Sequence, residues 1–161
     1  MTVSALDIQS TIVSLGLSIR DPAPAFSKNY ANYVTDTNGL LYVSGQFSRN
    51  VKTGELITGK AGGELSLEAA TEAARGAAFE VMLQLLAASE TLKINIQLLE
   101  LVGYVNAVPS FTQHPAVIDG ASALFDTFFG KVSRSRLSLG CSTLPAGATI
   151  ELTALLIANE A

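Results

Sequence analysis

An arginine and a glutamate near the C-terminal end could together bind and transform a small carboxylate. Arg136 and Glu151 lie in segments 134–141 and 148–158, whose alternating apolar residues predict β-strands. If the two segments form a hairpin, Arg136 lies directly across from Glu151 on one polar face. A guanidinium binds a carboxylate through two parallel hydrogen bonds, and an adjacent carboxylate can move protons. The alternative interpretation is a structural ion pair worth about 0 to 1 kcal/mol, which is the commoner outcome of such spacing.

Strand alternation also assigns the neighbours of Arg136 to two faces. Ser138 and Gly140 share the face of Arg136, whereas Cys141 falls on the apolar face. Cys141 is therefore predicted to be a small core residue and not a nucleophile, because no histidine lies near it in the sequence. His114 is predicted to be a surface residue at the start of a helix, since nothing local would tune its pKa.

The segment from Gly54 to Lys60 matches the first seven positions of a phosphate-binding loop. Ala61, however, occupies the position where that loop needs a serine or threonine to hold Mg²⁺. The sequence therefore predicts a glycine-rich surface loop here and no nucleotide site.

Composition narrows the class of protein. The chain has 161 residues, of which 48% are hydrophobic and 15% charged, as expected for one globular domain spanning 1–161. A net charge of −4 without a basic cluster makes nucleic acid a poor partner.

A single cysteine and a single histidine exclude an intrachain disulfide and a conventional Cys/His zinc site. Neither a signal peptide nor a membrane span is predicted, so we expect a cytoplasmic protein.

Hydrophobic periodicity and turn residues predict the elements that must position Arg136 and Glu151. They are a helical extension over 1–20 stopped by Gly16, a hairpin over 33–44 about Asn38-Gly39, a long helix beginning after Ser66, a bulged strand over 94–108, a helix over 111–129 closed by Gly130, and the two final strands. This order predicts an α+β fold in which two helices cover one face of a mixed sheet.

Three stretches of the chain match a family signature. They are Ser44-Gly45-Gln46, the Thr53-Gly54 turn, and residues 136–145 (Arg-Leu-Ser-Leu-Gly-Cys-Ser-Thr-Leu-Pro) followed by 148–152 (Ala-Thr-Ile-Glu-Leu). On these residues the chain resembles the Rid family, also called YjgF or L-PSP endoribonuclease-like, over most of residues 20–158. A divergent subgroup is resembled by residues 102–106, Pro109, Phe111 and residues 118–122, together with the extra N-terminal helix.

The resemblance implies a chorismate-mutase-like subunit of the bacillus type that forms a homotrimer with ligand pockets between subunits. It also implies hydrolysis of reactive imine and enamine acids to 2-keto acids and ammonia, with no cofactor and no metal. Arg136 and Glu151 would be the catalytic pair, with Arg136 holding the substrate carboxylate and Glu151 positioning water. Ser44, Ser138 and a tyrosine would line the pocket, the tyrosine being Tyr30 in preference to Tyr33.

Two other functions stay open from the sequence. The family's Gly-Pro-Tyr-Ser element is absent, Ser138 replaces its usual cysteine, and Asp119 or Ser122 is nearest to its usual helix asparagine. These departures suggest a trimeric carboxylate-binding protein without turnover. The family's other name suggests RNA cleavage, against which the negative net charge argues.

Overall fold

The computed structural model describes residues 1–131 and 134–160, and in them a five-stranded mixed sheet carries helices on one face. The helices are α1 (Ala5–Ser14), α2 (Leu67–Leu92) and α3 (His114–Phe129). The strands are β1 (Tyr33–Thr35), β2 (Leu40–Phe47), β3 (Ile94–Asn106), β4 (Ser135–Cys141) and β5 (Ile150–Glu160). Their order across the sheet is β1-β2-β5-β3-β4, which confirms the predicted α+β class.

Local sequence signals place the first elements where they were predicted. Ser4 and Asp7 form a reciprocal capping box at the start of α1, and Gly16, at φ 68°, follows its end. In the β1–β2 hairpin, Asp36 Oδ1 accepts the backbone N–H of Asn38 at 2.9 Å and of Leu40 at 2.8 Å. Gly39, at φ 81°, supplies the left-handed conformation that this turn requires.

Small residues let α2 and α3 approach each other and the sheet closely. A Cβ added to Gly120 of α3 would lie 2.2 Å from the carbonyl oxygen of Thr71 in α2. Gly76 of α2 would similarly place a Cβ 2.0 Å from the carbonyl oxygen of Arg49. The core consists of this helix pair packed on the inner face of β2, β3 and β5, with α1 lying against both helices.

The predicted C-terminal hairpin is wrong. Among the described strands, β4 pairs with β3 alone, in parallel, while β5 lies antiparallel between β2 and β3. The chain leaves β3, crosses over through α3 and returns to pair alongside β3, which is the usual way to join parallel neighbours. The alternation of both strands was assigned correctly, but adjacency in sequence was mistaken for adjacency in the sheet. The predicted bulge in β3 is confirmed, between Leu98 and Glu100.

The face of the sheet opposite the helices is apolar and uncovered. It presents Tyr42, Leu137 and Leu139, whose side chains are exposed at 45%, 47% and 42%. In soluble proteins, large open apolar surfaces are commonly interaction sites. Separately, within the described residues, the helices lack the combination of length and apolarity that a membrane span needs.

Gly120→Ala should destabilise the chain, although alanine normally stabilises a helix by about 1 kcal/mol relative to glycine. The added methyl group would push α2 from α3 at the Thr71 carbonyl, and we expect the free energy of unfolding to fall by about 1–3 kcal/mol. Urea unfolding of both proteins measures this. An unfolding free energy equal to or above that of the wild type would mean that the helices do not pack at this distance.

Candidate active site

Arg136 lies on the helix side of β4, the edge strand of the sheet. Its register partner on β3, Leu101, is buried in the core. The guanidinium Nη1 donates to Asp119 Oδ1 at 2.6 Å and to Ser122 Oγ at 2.9 Å, both on α3. Arg136 therefore forms an ion pair as the alternative interpretation expected, but its partner is Asp119 and not Glu151.

The remaining edge of the Arg136 guanidinium is available to a ligand. Both hydrogen bonds use Nη1, and in residues 1–131 and 134–160 neither Nε nor Nη2 has a hydrogen-bond partner. Ser138, two residues along the same face, has a buried hydroxyl that also finds no partner in these ranges. Arg136 and Ser138 thus both carry donors without partners on one face of β4, and donors of this kind can hydrogen-bond a carboxylate.

Glu151 lies on the opposite, uncovered side of the sheet. Alternate residues of β5 are buried against the helices, and Glu151 belongs to the other set, with Tyr104 as its partner across β3. Its carboxyl group lies over Gly45 in the bulge of β2, where an added Cβ would be 1.8 Å from Oε1. Burial raises the pKa of Glu151 above its ordinary value, which strengthens the carboxylate as a base.

Ser44 and Tyr30 lie beside the bulge that receives Glu151. The Ser44 hydroxyl donates to the carbonyl of Ala31 at 2.6 Å, which fixes the loop that carries Tyr30. Tyr30 is partly exposed, and its phenolic oxygen accepts the backbone N–H of Phe26 at 3.0 Å. Tyr33, the other candidate tyrosine, packs against the core. Of the two candidate tyrosines, Tyr30 is thus the more exposed.

A buried polar network holds the bulge and the segment before β1. Glu80 of α2 is only 1% exposed and forms an ion pair with Arg20. Gln84, one turn further along α2, donates to the carbonyl of Ala23 at 2.8 Å and to Gln46 Oε1 at 3.3 Å. Gln46 in turn donates to the carbonyl of Ser44 at 2.9 Å. Sequence reasoning missed this network, although a glutamate and a glutamine one helical turn apart among apolar residues are the signal for it.

The candidate catalytic pair is not assembled within one chain. In the sheet register, Arg136 of β4 pairs with Leu101 of β3, and Leu101 pairs with Ala154 of β5. Ala154 is three residues along β5 from Glu151. With β3 between them, their backbones lie about 10 Å apart across the sheet and about 10 Å apart along it. Their side chains also leave opposite faces. The chain thus presents two separate half-sites.

The structure corrects the interpretations of Cys141 and His114. Cys141 ends β4 on the uncovered side, half-buried, so it is not a core residue. Burial raises the pKa of its thiol, which disfavours a nucleophilic thiolate.

His114 is half-buried: its ring packs edge-on against Phe111 at 5.5 Å between centroids and lies over Gly140. Across the described ranges, no three His, Cys, Asp or Glu side chains gather to form a metal site.

Comparison with known proteins identifies the family. The family model described as "YjgF/chorismate mutase-like, putative endoribonuclease" matches residues 9–156. The chain belongs to the YjgF/chorismate mutase-like family. It is 38% identical over 148 residues to a protein of Trypanosoma cruzi named TCP17, an alignment that covers 89% of this chain and 91% of that protein.

Solved structures of family members share the fold closely. A protein of unknown function from Agrobacterium tumefaciens superposes with a TM-score of 0.80 at 30% identity, over 96% of both chains. A protein from Shewanella oneidensis, named a putative endoribonuclease, superposes with a TM-score of 0.82 at 27% identity, over 93% of this chain and 98% of that one. These similarities show the family and its architecture.

The carboxyl group of Glu151 should titrate above its ordinary pKa of 4.5. Burial penalises the charged carboxylate, so folding raises its pKa. The contribution of this group to the free energy of unfolding is therefore fully present below the unfolded-state pKa and is lost as pH rises through the folded-state pKa. NMR titration of the side-chain carboxyl measures the shift, and Glu151→Gln should remove this component from the pH dependence of unfolding. A midpoint at or below 4.5 would contradict the burial described for this carboxyl.

Proposed function

We propose that this protein is a homotrimeric imine and enamine deaminase that hydrolyses small 2-imino acids to 2-keto acids and ammonia at sites between subunits. The observation that carries the proposal is the division of the site into a free guanidinium edge at Arg136 and a carboxyl of raised pKa at Glu151. Each group suits one task of the reaction, and neither can perform it alone.

Assembly of copies would bring the two half-sites together. β4 is an edge strand, so a neighbouring chain has access to the side that carries Arg136. The uncovered apolar face carries Glu151, and a second copy packed there would remove Leu137 and Leu139 from water. A closed ring in which the Arg136 edge of one copy meets the Glu151 face of the next produces equivalent composite sites.

The chemistry requires orientation and proton transfer. In the proposed site, Arg136 binds the carboxylate of the imino acid through Nε and Nη2, while the Ser138 hydroxyl completes the contact. Glu151 accepts a proton from water as the oxygen attacks the imine carbon and returns it to the nitrogen, which gives a carbinolamine. The carbinolamine hydroxyl then passes its proton through Glu151 to the nitrogen as the carbon–oxygen double bond forms and the carbon–nitrogen bond breaks. The products are a 2-keto acid and ammonia. The imine carbon is already electrophilic, so the reaction needs no cofactor.

RNA cleavage, which the family description names, has weak physical support in this chain. In the described residues, the arginines Arg20, Arg75 and Arg134, which lie outside the proposed site, each form an ion pair with a carboxylate of the same chain. These charges are compensated locally, and the net charge is −4. A phosphate backbone therefore meets little excess positive charge.

The direct test is the rate of keto-acid release from freshly generated 2-imino acids. We expect wild type to accelerate hydrolysis, Arg136→Ala to raise KM strongly and lower kcat, and Glu151→Gln to lower kcat more than KM. Arg75→Ala is the matched control, because it removes another paired arginine, on α2, away from both half-sites. The control should keep wild-type kinetics.

Two outcomes would overturn the assignment. If the folded protein accelerates hydrolysis of no imine but binds keto acids and stable imine mimics equally well, the site binds carboxylates without turnover. If Arg136→Ala and Glu151→Gln both retain wild-type kinetics, these residues do not belong to the mechanism.

The assembly is tested separately by light scattering of the purified protein. We expect a mass of about three chains: the exposed apolar face favours association of copies, and the family resemblance implies a trimer. A monomer at micromolar concentration would leave the half-sites apart and contradict a composite site.

A further inference from the structure

A second cavity, apart from the Arg136 and Glu151 half-sites, lies where β3 and β4 end. Its volume is about 550 Å³, and its walls are mainly apolar. The lining residues that bear on its chemistry are Lys60, Val108, Pro109, Phe111, His114 and Gly140. A volume of this size lies in the range of small-molecule sites, which combine apolar walls with a few polar groups.

Lys60 supplies a positive charge that the cavity does not neutralise. Its Nζ donates to Asn106 Oδ1 at 2.8 Å and to the carbonyl oxygen of Ser142, and both acceptors are uncharged. In the described ranges, no carboxylate lies within 4.0 Å of this ammonium. The Glu64 carboxylate is close but accepts the backbone N–H of Lys60, not the ammonium. An ammonium has three N–H donors, so one remains for an occupant.

Two glycines leave room for the His114 and Phe111 rings to pack closely in the wall of this cavity. A Cβ on Gly140 would lie 2.2 Å from His114 Nε2, so only glycine lets the imidazole cover β4 there. A Cβ on Gly62 would lie 2.7 Å from the Phe111 ring. In the described residues, neither ring nitrogen of His114 has a hydrogen-bond partner within the protein. The cavity thus combines an ammonium, an imidazole and an aromatic ring.

We propose that this cavity binds a small carboxylate with a flat apolar body, such as an aryl-substituted acid. The carboxylate would accept hydrogen bonds from Lys60 Nζ and from the His114 imidazole, and the apolar body would pack against Phe111, Val108 and Pro109. The site differs from that of Arg136: along β4, Gly140 lies two residues beyond Ser138 and four beyond Arg136, which is about 7 Å and about 13 Å. The proposal does not depend on the deaminase reaction.

Isothermal titration of the assembled protein with phenylacetate tests the site. We expect saturable binding, weakened about 10-fold or more by Lys60→Met, which removes the charge but keeps the apolar stem. Lys52→Met, in an exposed loop, is the matched control and should change the affinity by less than about twofold. Arg136→Ala, which removes the other carboxylate-binding group, should still show saturable phenylacetate binding that Lys60→Met weakens. Phenylacetamide should bind wild type about 10-fold more weakly than phenylacetate, because it lacks the charge.

Three results would overturn the proposal. The first is the absence of saturable phenylacetate binding to the wild-type protein. The second is binding that is lost in Arg136→Ala but retained in Lys60→Met, which would place the ligand in the Arg136 half-site. The third is equal affinity for the amide and the acid, a comparison on wild type that holds even if Lys60→Met fails to fold.

Discussion

The position of β3 between β4 and β5 determines what one chain can do. It separates Arg136 from Glu151 by a full strand, and the alternation of side chains sends the two to opposite faces. The β3–α3–β4 crossover creates this order and also leaves β4 at the edge of the sheet. The same topology therefore divides the candidate site and exposes both halves to a neighbouring molecule.

The two half-sites are held by different means. Arg136 is fixed by Asp119 and Ser122 of α3, so the packing of that helix orients the guanidinium. Glu151 depends on the bulge of β2, which the buried Glu80–Gln84–Gln46 network supports from the other side of the sheet. Removing one member of such a network leaves buried polar groups without partners, which is costly in a low-dielectric core.

Local signals in the sequence were sufficient for the elements but not for their pairing. Asn38-Gly39, Ser66 and Gly130 mark the hairpin turn and two helix ends, because turns and caps depend on a few adjacent residues. The partner of β4 is decided by the α3 crossover, a long-range feature that alternation within a strand does not encode. Arg136 and Ser138 were correctly placed on one face; their true neighbours Asp119 and Ser122 emerged only from the fold.

The central claim is that Arg136 of one subunit works with Glu151 of another. Its most direct test mixes the inactive variants Arg136→Ala and Glu151→Gln, dissociates them and reassembles them at equal ratio. In a trimer with composite sites, chance places an intact arginine beside an intact glutamate in about a quarter of the sites, so activity should return to about a quarter of the wild-type rate. A mixture as inactive as its two components would show that both residues must come from one chain, contradicting the account.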